Sequence, residues 1–255
     1  MYPYYYSIMK TNNFFYNTAS GYYDKMIDFE SALNKRKNLL SDFVKSGISS
    51  VADIGCGTGV DSISLAQTGL CVTAFDPSIE MINSAKENCK KTNAQIQFFN
   101  YSAASIPKSF FNKFDLIVSL GNTIANINPD QLEKSFDRIF RMLKTDGRIL
   151  IQVLNYEKIL KEKERIVNIT QKDNEYFIRF YDYGNNDLTF NILKFNADKT
   201  FDKELISTKI FPYKSKELKQ LLKKTGFNKT QLFGGLDKSL FNPKVSNDLV
   251  IYAEK

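Results

Sequence analysis

Residues 53–59 read Asp53-Ile-Gly55-Cys56-Gly57-Thr-Gly59 and stand where a short apolar run ends and a helical pattern begins. Val51-Ala-Asp-Ile54 has the character of a buried strand, and Val60 to Thr68 that of a helix. The glycines permit positive φ and let backbone approach a ligand closely. The helix start adds free N–H groups and a partial positive potential. A second acid, Asp76, follows Gly55 by 21 residues, at the end of the next apolar run, Cys71-Val-Thr-Ala-Phe75. An acid about 20 residues past such a loop is placed to hold a ribose diol. Loop and acid together predict an adenosine-type cofactor at the carboxyl ends of parallel strands.

The pattern around the loop fixes the rest of the sheet. Helix Ser78 to Lys91, strand Ile96 to Asn100 and strand Phe114 to Val118 follow in turn. Residues 130–144 carry a helical stripe of Leu132, Phe136, Ile139, Phe140 and Leu143. Asn128 is placed to cap that helix, Pro129 fits its first position and Gly147 follows its end. Arg148 to Val153 reads as a fifth strand, and 227–233 and 249–252 as two more that rejoin the sheet. Strand-helix alternation with helices of this length predicts an α/β, Rossmann-like doubly wound sheet, seven-stranded and mostly parallel.

Two segments depart from that rhythm. Residues 1–50 are helical and aromatic, with Tyr2, Tyr4, Tyr5 and Tyr6 followed by Phe14, Phe15, Tyr16, Tyr22 and Tyr23. Within them, residues 31–46 read as one amphipathic helix stopped by Gly47. Residues 165–212, within a segment bounded at 161–212, alternate with period two, with turns expected at residues 184–186 and 196–199. They predict an antiparallel β insertion of three or four strands, a lid between the two parts, 51–160 and 213–255, of the cofactor-binding domain. Ser215 is placed to cap a last helix that ends near Gly226.

Composition narrows the chemistry. The chain has no histidine, which removes Ser-His and Cys-His machinery and histidine bases. Its cysteines, Cys56, Cys71 and Cys89, form no C-x-x-C pair, so neither a disulfide framework nor a cysteine zinc site is expected, and no metal site is assigned. No apolar run reaches the roughly 20 residues of a membrane span. The first residues lack the pattern of a secretory signal, so a cytoplasmic, reduced protein is the expectation. The net charge of +7 comes from 35 cations against 28 acids, and only six of the cations are arginine. A scattered lysine surface of this kind argues against a nucleic-acid partner.

The spacing Asp53-x-Gly55-x-Gly57-x-Gly59 differs from the G-x-G-x-x-G of dinucleotide binders. An acid beside the loop would repel a pyrophosphate but suits a cofactor that carries an ammonium group. The pattern resembles the first motif of class I S-adenosylmethionine (SAM) methyltransferases. That resemblance implies SAM as cofactor and S-adenosylhomocysteine as product. It places Asp53, Gly55, Cys56, Gly57 and Gly59 around the methionine end and Asp76, Pro77 and Met81 around the ribose. Ser102 and Ala103 stand where the family reads adenine, Ser102 in place of the usual aspartate, and Leu120 ends the fourth strand beside the cofactor.

Leu120-Gly-Asn122-Thr and Asn155-Tyr156-Glu-Lys-Ile-Leu160 resemble the glycine/sarcosine N-methyltransferase branch. Asn122, at the end of the fourth strand, is placed either to orient the acceptor or to cap its loop. Tyr16, Tyr22 and Tyr23 either wall the reacting centre or pack the N-terminal helix on the core. Asn155 and Tyr156, in the second matching segment, are assigned to the acceptor site. Leu154 occupies the position where that branch grips a carboxylate with arginine, which disfavours glycine itself. Arg179 shares a strand face with Phe177, Tyr181 and Tyr183 and offers a substitute cation; a solvent-facing arginine is the alternative. The expected activity is methyl transfer to a small molecule, an amine by preference, since a neutral amine needs no dedicated base. A tRNA or protein methyltransferase and a non-catalytic SAM-binding protein are the competing readings, and the oligomeric state is left open.

Overall fold

The computed structural model describes residues 12–44, 46–184, 188–198 and 202–255. Tyr2, Tyr4, Tyr5 and Tyr6, and parts of the turns expected at 184–186 and 196–199, lie outside them.

The apolar runs form a central sheet with helices between its strands. Two N-terminal helices, α1 (Asn12–Ile27) and α2 (Phe29–Ser41), precede β1 (Ser50–Ile54), α3 (Val60–Ala66), β2 (Cys71–Phe75), α4 (Ile79–Thr92) and β3 (Ile96–Phe99). Then come β4 (Phe114–Ser119), α5 (Pro129–Met142), β5 (Leu143–Leu154) and α6 (Tyr156–Glu162). Strands β6 (Ile166–Lys172), β7 (Glu175–Tyr183), β8 (Leu188–Asn196) and β9 (Lys203–Ile210) follow, and α7 (Ser215–Thr225), β10 (Asn228–Phe233) and β11 (Asp248–Glu254) close the chain.

The seven-stranded sheet has the order β10-β11-β5-β4-β1-β2-β3. Strands β1 to β5 pair in parallel, and β11 runs antiparallel between β5 and β10. Alternate residues of each strand feed opposite cores. Ile117, Ile149 and Ile251 pack with Phe136, Ile139 and Leu218 on one side. Leu116, Val118, Leu150 and Val250 pack with Leu40, Phe43 and Leu65 on the other. Both faces are covered, which is why the strands read as continuous apolar runs rather than alternating ones.

The second sheet, β6-β7-β8-β9, is wholly antiparallel. Its Phe177, Ile192 and Ile206 pack on Phe15, Ala19, Tyr22 and Met26 of α1, with Tyr22 stacked on Phe177 at 5.5 Å between ring centroids. Helix α1 thus lies under the inserted sheet and against Met81 of α4.

Several local expectations are corrected. The helix expected over 31–46 is α2, which begins earlier and stops at Ser41; Asp28, at φ 52°, breaks it from α1. Asn128 does cap α5, accepting from Gln131 N at 3.0 Å. Gly147 follows the end of that helix but lies inside β5, because the chain passes from Met142 directly into the strand. A Cβ there would stand 2.8 Å from Lys144 O, so the residue answers a close backbone approach rather than a helix stop. Ser215 is the first residue of α7 rather than its cap; its N–H and hydroxyl both donate to Glu157 Oε1, at 2.9 and 2.6 Å.

Candidate active site

The glycine loop leaves β1 and turns over the end of β2, where Gly55 N and Cys56 N donate to Phe75 O at 2.7 and 3.1 Å. The three glycines have separate reasons to be glycine. Gly55, at φ +76°, leaves room for Thr123 from the loop after β4; a Cβ there would lie 2.3 Å from Thr123 Cγ2. Gly59, at φ +93°, lets α3 approach Ala85 of α4, 3.2 Å from a Cβ. Gly57, at φ +54°, has nothing within 4 Å of its Cβ position and faces open space.

That space is a cavity of about 430 Å³ between the carboxyl ends of the strands, α1 and the inserted sheet. At one end Asp76 is held by two backbone donors, Gly57 N at 2.9 Å and Ser78 N at 2.8 Å. Burial outweighs these two bonds and raises its carboxyl to about 6. Asn100 Nδ2 bonds the Asp76 and Pro77 carbonyls, both at 2.9 Å, and so fixes the backbone that carries the acid. Beside the loop, Arg36 of α2 pairs with Asp61 of α3 at 2.6 Å, and both line the cavity.

At the other end stand Tyr16 and Tyr23 of α1, Asn126, Arg179 and Tyr181. Burial pushes the Tyr16 and Tyr23 phenols above their ordinary range, so both are protonated donors at neutral pH. Asn126 is positioned by α1 and the inserted sheet: Asn12 Nδ2 donates to its carbonyl at 2.7 Å, and Thr208 Oγ1 donates to Asn12.

The residues singled out from sequence divide into three groups. Gly55, Cys56, Gly57, Asp76, Pro77, Met81, Leu120, Asn122, Tyr16, Tyr23 and Arg179 line the cavity. Gly59 serves helix packing instead, and Asp53 lies behind the loop, 1% exposed, accepting from Ser62 Oγ at 2.5 Å. Burial raises its carboxyl, with the nearby Asp61 adding to the effect. The expectation that Asp53 meets a ligand directly is therefore replaced by a role in seating α3. Ser102, Ala103, Asn155 and Tyr156 do not line the cavity. Ser102 precedes a short 3-10 turn, its hydroxyl 2.9 Å from that of Ser105, and Ala103 packs into the core. Asn155 is fully buried and donates to the Pro243 and Ser246 carbonyls, at 3.1 and 2.8 Å.

Tyr156 is also buried, and it engages the residue given the leading catalytic expectation. Asn122 Nδ2 donates to the Tyr156 hydroxyl at 2.7 Å, and Asn122 Oδ1 accepts from Leu154 N at 3.1 Å. The Asn122 amide is thus committed to joining the ends of β4 and β5, with its backbone at φ 69°. Arg36, Asp61, Asn126, Gln152 and Tyr181 line the cavity without having been singled out. Asn126 ends the 3-10 turn that follows Asn122.

Comparison with known proteins agrees with this geometry. The family described as "Methyltransferase domain" matches residues 51–147, which span the glycine loop, Asp76 and the loop after β4. Residues 51–147 are thus a methyltransferase domain. The glycine/sarcosine N-methyltransferase of Parasynechococcus marenigrum (strain WH8102) is 22% identical over 223 residues, 87% of this chain and 78% of that one. The glycine N-methyltransferase of Homo sapiens is 32% identical over 136 residues, 48% of this chain and 46% of that one, so the methyltransferase is matched to less than half of that relative's length. The crystal structure of an S-adenosylmethionine-dependent methyltransferase from Clostridium acetobutylicum ATCC 824 superposes with a TM-score of 0.78 at 19% identity. That superposition covers 94% of this chain and 98% of that one, and it confirms the fold.

The residues of this methyltransferase fit its cofactor. The Asp76 carboxylate keeps lone pairs beyond its two backbone bonds. Gly57 leaves empty the volume a side chain would fill. Thr58 Oγ1, in the same wall, is buried with no partner. No helix among the described residues is long and apolar enough to cross a membrane.

Proposed function

We propose that the protein transfers the methyl group of SAM to a small-molecule amine. The observation that carries this reading is the single cavity that joins the Gly57–Asp76 end to the Tyr16, Tyr23 and Arg179 end. When bound, the cofactor supplies an electrophilic methyl group on a sulfonium. Asp76 holds the ribose hydroxyls, Gly57 lies against the cofactor, and Arg36 faces its carboxylate end. Tyr16 and Tyr23 wall the acceptor and exclude water. The acceptor nitrogen enters as the free base and loses its extra proton to solvent after transfer. Alignment and desolvation alone supply roughly 7–11 kcal/mol in such reactions, so the absence of histidine is no obstacle. Residues 161–212 act as the lid over the acceptor, and the N-terminal helical segment, assigned to residues 1–50, covers the active site.

The relatives named for glycine and sarcosine support nitrogen as the methylated atom. The cavity supports a small acceptor, since about 430 Å³ is the size of a small-molecule site. Incubation with methyl-labelled SAM and separately fractionated metabolites, proteins and tRNA is expected to place the label on a small amine. Label on tRNA or protein alone would refute the reading.

The cradle carries a pH signature. Asp76 accepts ribose hydroxyls best as the carboxylate, and its carboxyl titrates at about 6 in the free protein. Cofactor affinity is expected to be level above about pH 7 and to fall toward tenfold per pH unit below about pH 6. Calorimetric titration with S-adenosylhomocysteine from pH 8 to pH 5 checks this. Asp76→Asn should flatten the profile, and a wild-type profile already flat would remove Asp76 from the ribose site.

A further inference from the structure

We infer that Asn17, Asp24 and Asn88 are positioning residues that clasp the acceptor wall to the cofactor cradle, so that the bound cofactor sets where Tyr16 and Tyr23 stand. This rests on the methyl-transfer reading and gives the order in which that site is assembled.

Helix α1 carries the first half of the argument. Tyr16 and Tyr23 are seven residues apart, about two helical turns, and both line the cavity. Neighbours in a helix point about 100° apart, so the residue after each tyrosine turns away from the cavity. Those residues are Asn17 and Asp24, and each meets a buried polar side chain of α4 or its cap. Ser78 Oγ donates to Asn17 Oδ1 at 2.6 Å, and Asn88 Nδ2 donates to Asp24 Oδ2 at 2.7 Å. Ser78 and Asn88 are 1% and 4% exposed. On its other flank α1 packs Phe15, Ala19 and Tyr22 on the inserted sheet, so the helix lies between lid and cradle.

The cradle carries the second half. Ser78 N also donates to the Asp76 carboxylate at 2.8 Å, so one clasp runs from the ribose acid through Ser78 and Asn17 to Tyr16. The Asn88 amide also donates to Thr58 O at 3.1 Å, so the other runs from the glycine loop through Asn88 and Asp24 to Tyr23. Thr58 lines the cavity and its buried hydroxyl has no partner, which places an open ligand contact at the head of the second clasp. Asp24 Oδ1 is buried without a partner, so the carboxylate depends on its bond from Asn88. A carboxylate so placed and stripped of that bond bears the full cost of desolvation and drives its helix outward. A cofactor that fixes Asp76 and Thr58 therefore holds α1 in place, and with it the two tyrosines against which the acceptor packs.

The test compares the wild-type full chain with Asp24→Leu, which cannot accept from Asn88, and with Asp24→Asn, which keeps a carbonyl oxygen that can. S-adenosylhomocysteine binding is measured by calorimetry, and hydrogen exchange of residues 12–27 with and without that ligand. Methyl transfer is measured from labelled SAM to the amine fraction that takes label. In the wild type S-adenosylhomocysteine is expected to slow exchange across residues 12–27 on the order of tenfold. Asp24→Leu should still bind S-adenosylhomocysteine but lose that protection. Its KM for the amine should rise on the order of tenfold, while its KM for SAM moves by less than about threefold. Asp24→Asn should restore both readouts, and Asn17→Leu should act as Asp24→Leu does, through Tyr16. Wild-type exchange over residues 12–27 that ignores bound S-adenosylhomocysteine overturns the inference and leaves the methyltransferase reading intact. So does an Asp24→Leu protein with normal protection and normal amine KM, or an Asp24→Asn protein as impaired as Asp24→Leu. A wild type that binds no S-adenosylhomocysteine would sink the methyl-transfer reading and the clasps with it. Where Asp24→Leu fails to fold, wild-type exchange and Asn17→Leu decide.

Discussion

Replacing Gly57 with valine is expected to leave the fold standing and to remove cofactor binding. The Cβ position at Gly57 meets no protein atom within 4 Å, so the added side chain enters the cavity rather than the core. Its backbone at φ +54° imposes a strain of about 1–2 kcal/mol on a non-glycine residue. For a chain of 255 residues that is a fall of only a few degrees in Tm. Affinity for S-adenosylhomocysteine should drop by more than about 100-fold, some 2.8 kcal/mol, because the cofactor and the isopropyl group claim the same space. Asp76→Ala should cost less, roughly 1.5–3 kcal/mol of binding, through lost charge-assisted bonds. A folded Gly57→Val protein that binds normally would show that the cofactor lies elsewhere.

Gly55 is expected to show the opposite split, a large loss of stability. An alanine Cβ would stand 2.3 Å from Thr123 Cγ2 and 2.5 Å from Thr123 Oγ1, on backbone at φ +76°. Thr123 cannot easily yield, since its hydroxyl donates to Leu120 O at 2.9 Å and lies 3.2 Å from Gly55 O. Overpacking and left-handed strain together amount to about 2–5 kcal/mol. Denaturant unfolding of Gly55→Ala, Thr123→Ala and the double variant tests this. The double variant should be more stable than the sum of the single effects implies, because removing Cγ2 and Oγ1 relieves the clash. Strict additivity would mean that Thr123 is not what requires glycine at 55.

These contrasting outcomes show how far the sequence could be read. The loop, Asp76 and the strand ends were legible because each rests on local chemistry: positive φ, a helix start, an acid at a fixed spacing. The two sheets were legible from period alone, since β7 alternates whereas β4 and β5 are apolar on both faces. What escaped depends on tertiary partners. That Asn122 is committed to Tyr156 requires β4 and β5 to be neighbours. That Asp53 turns to Ser62 rather than to the cavity depends on how α3 seats. Arg36 reaches the cavity wall through its pairing with Asp61, a contact that depends on how α2 meets α3. Asn126 gave no signal, because an unpaired amide oxygen is a property of surroundings, not of residue type.

A crystal structure of the full chain with S-adenosylhomocysteine tests the central claim most directly. The account predicts ribose hydroxyls within hydrogen-bond distance of the Asp76 carboxylate and the ligand backbone-close at Gly57. It predicts the sulfur facing the part of the cavity walled by Tyr16, Tyr23, Asn126 and Arg179. A ligand bound away from Asp76, or one whose sulfur points away from that wall, would contradict it.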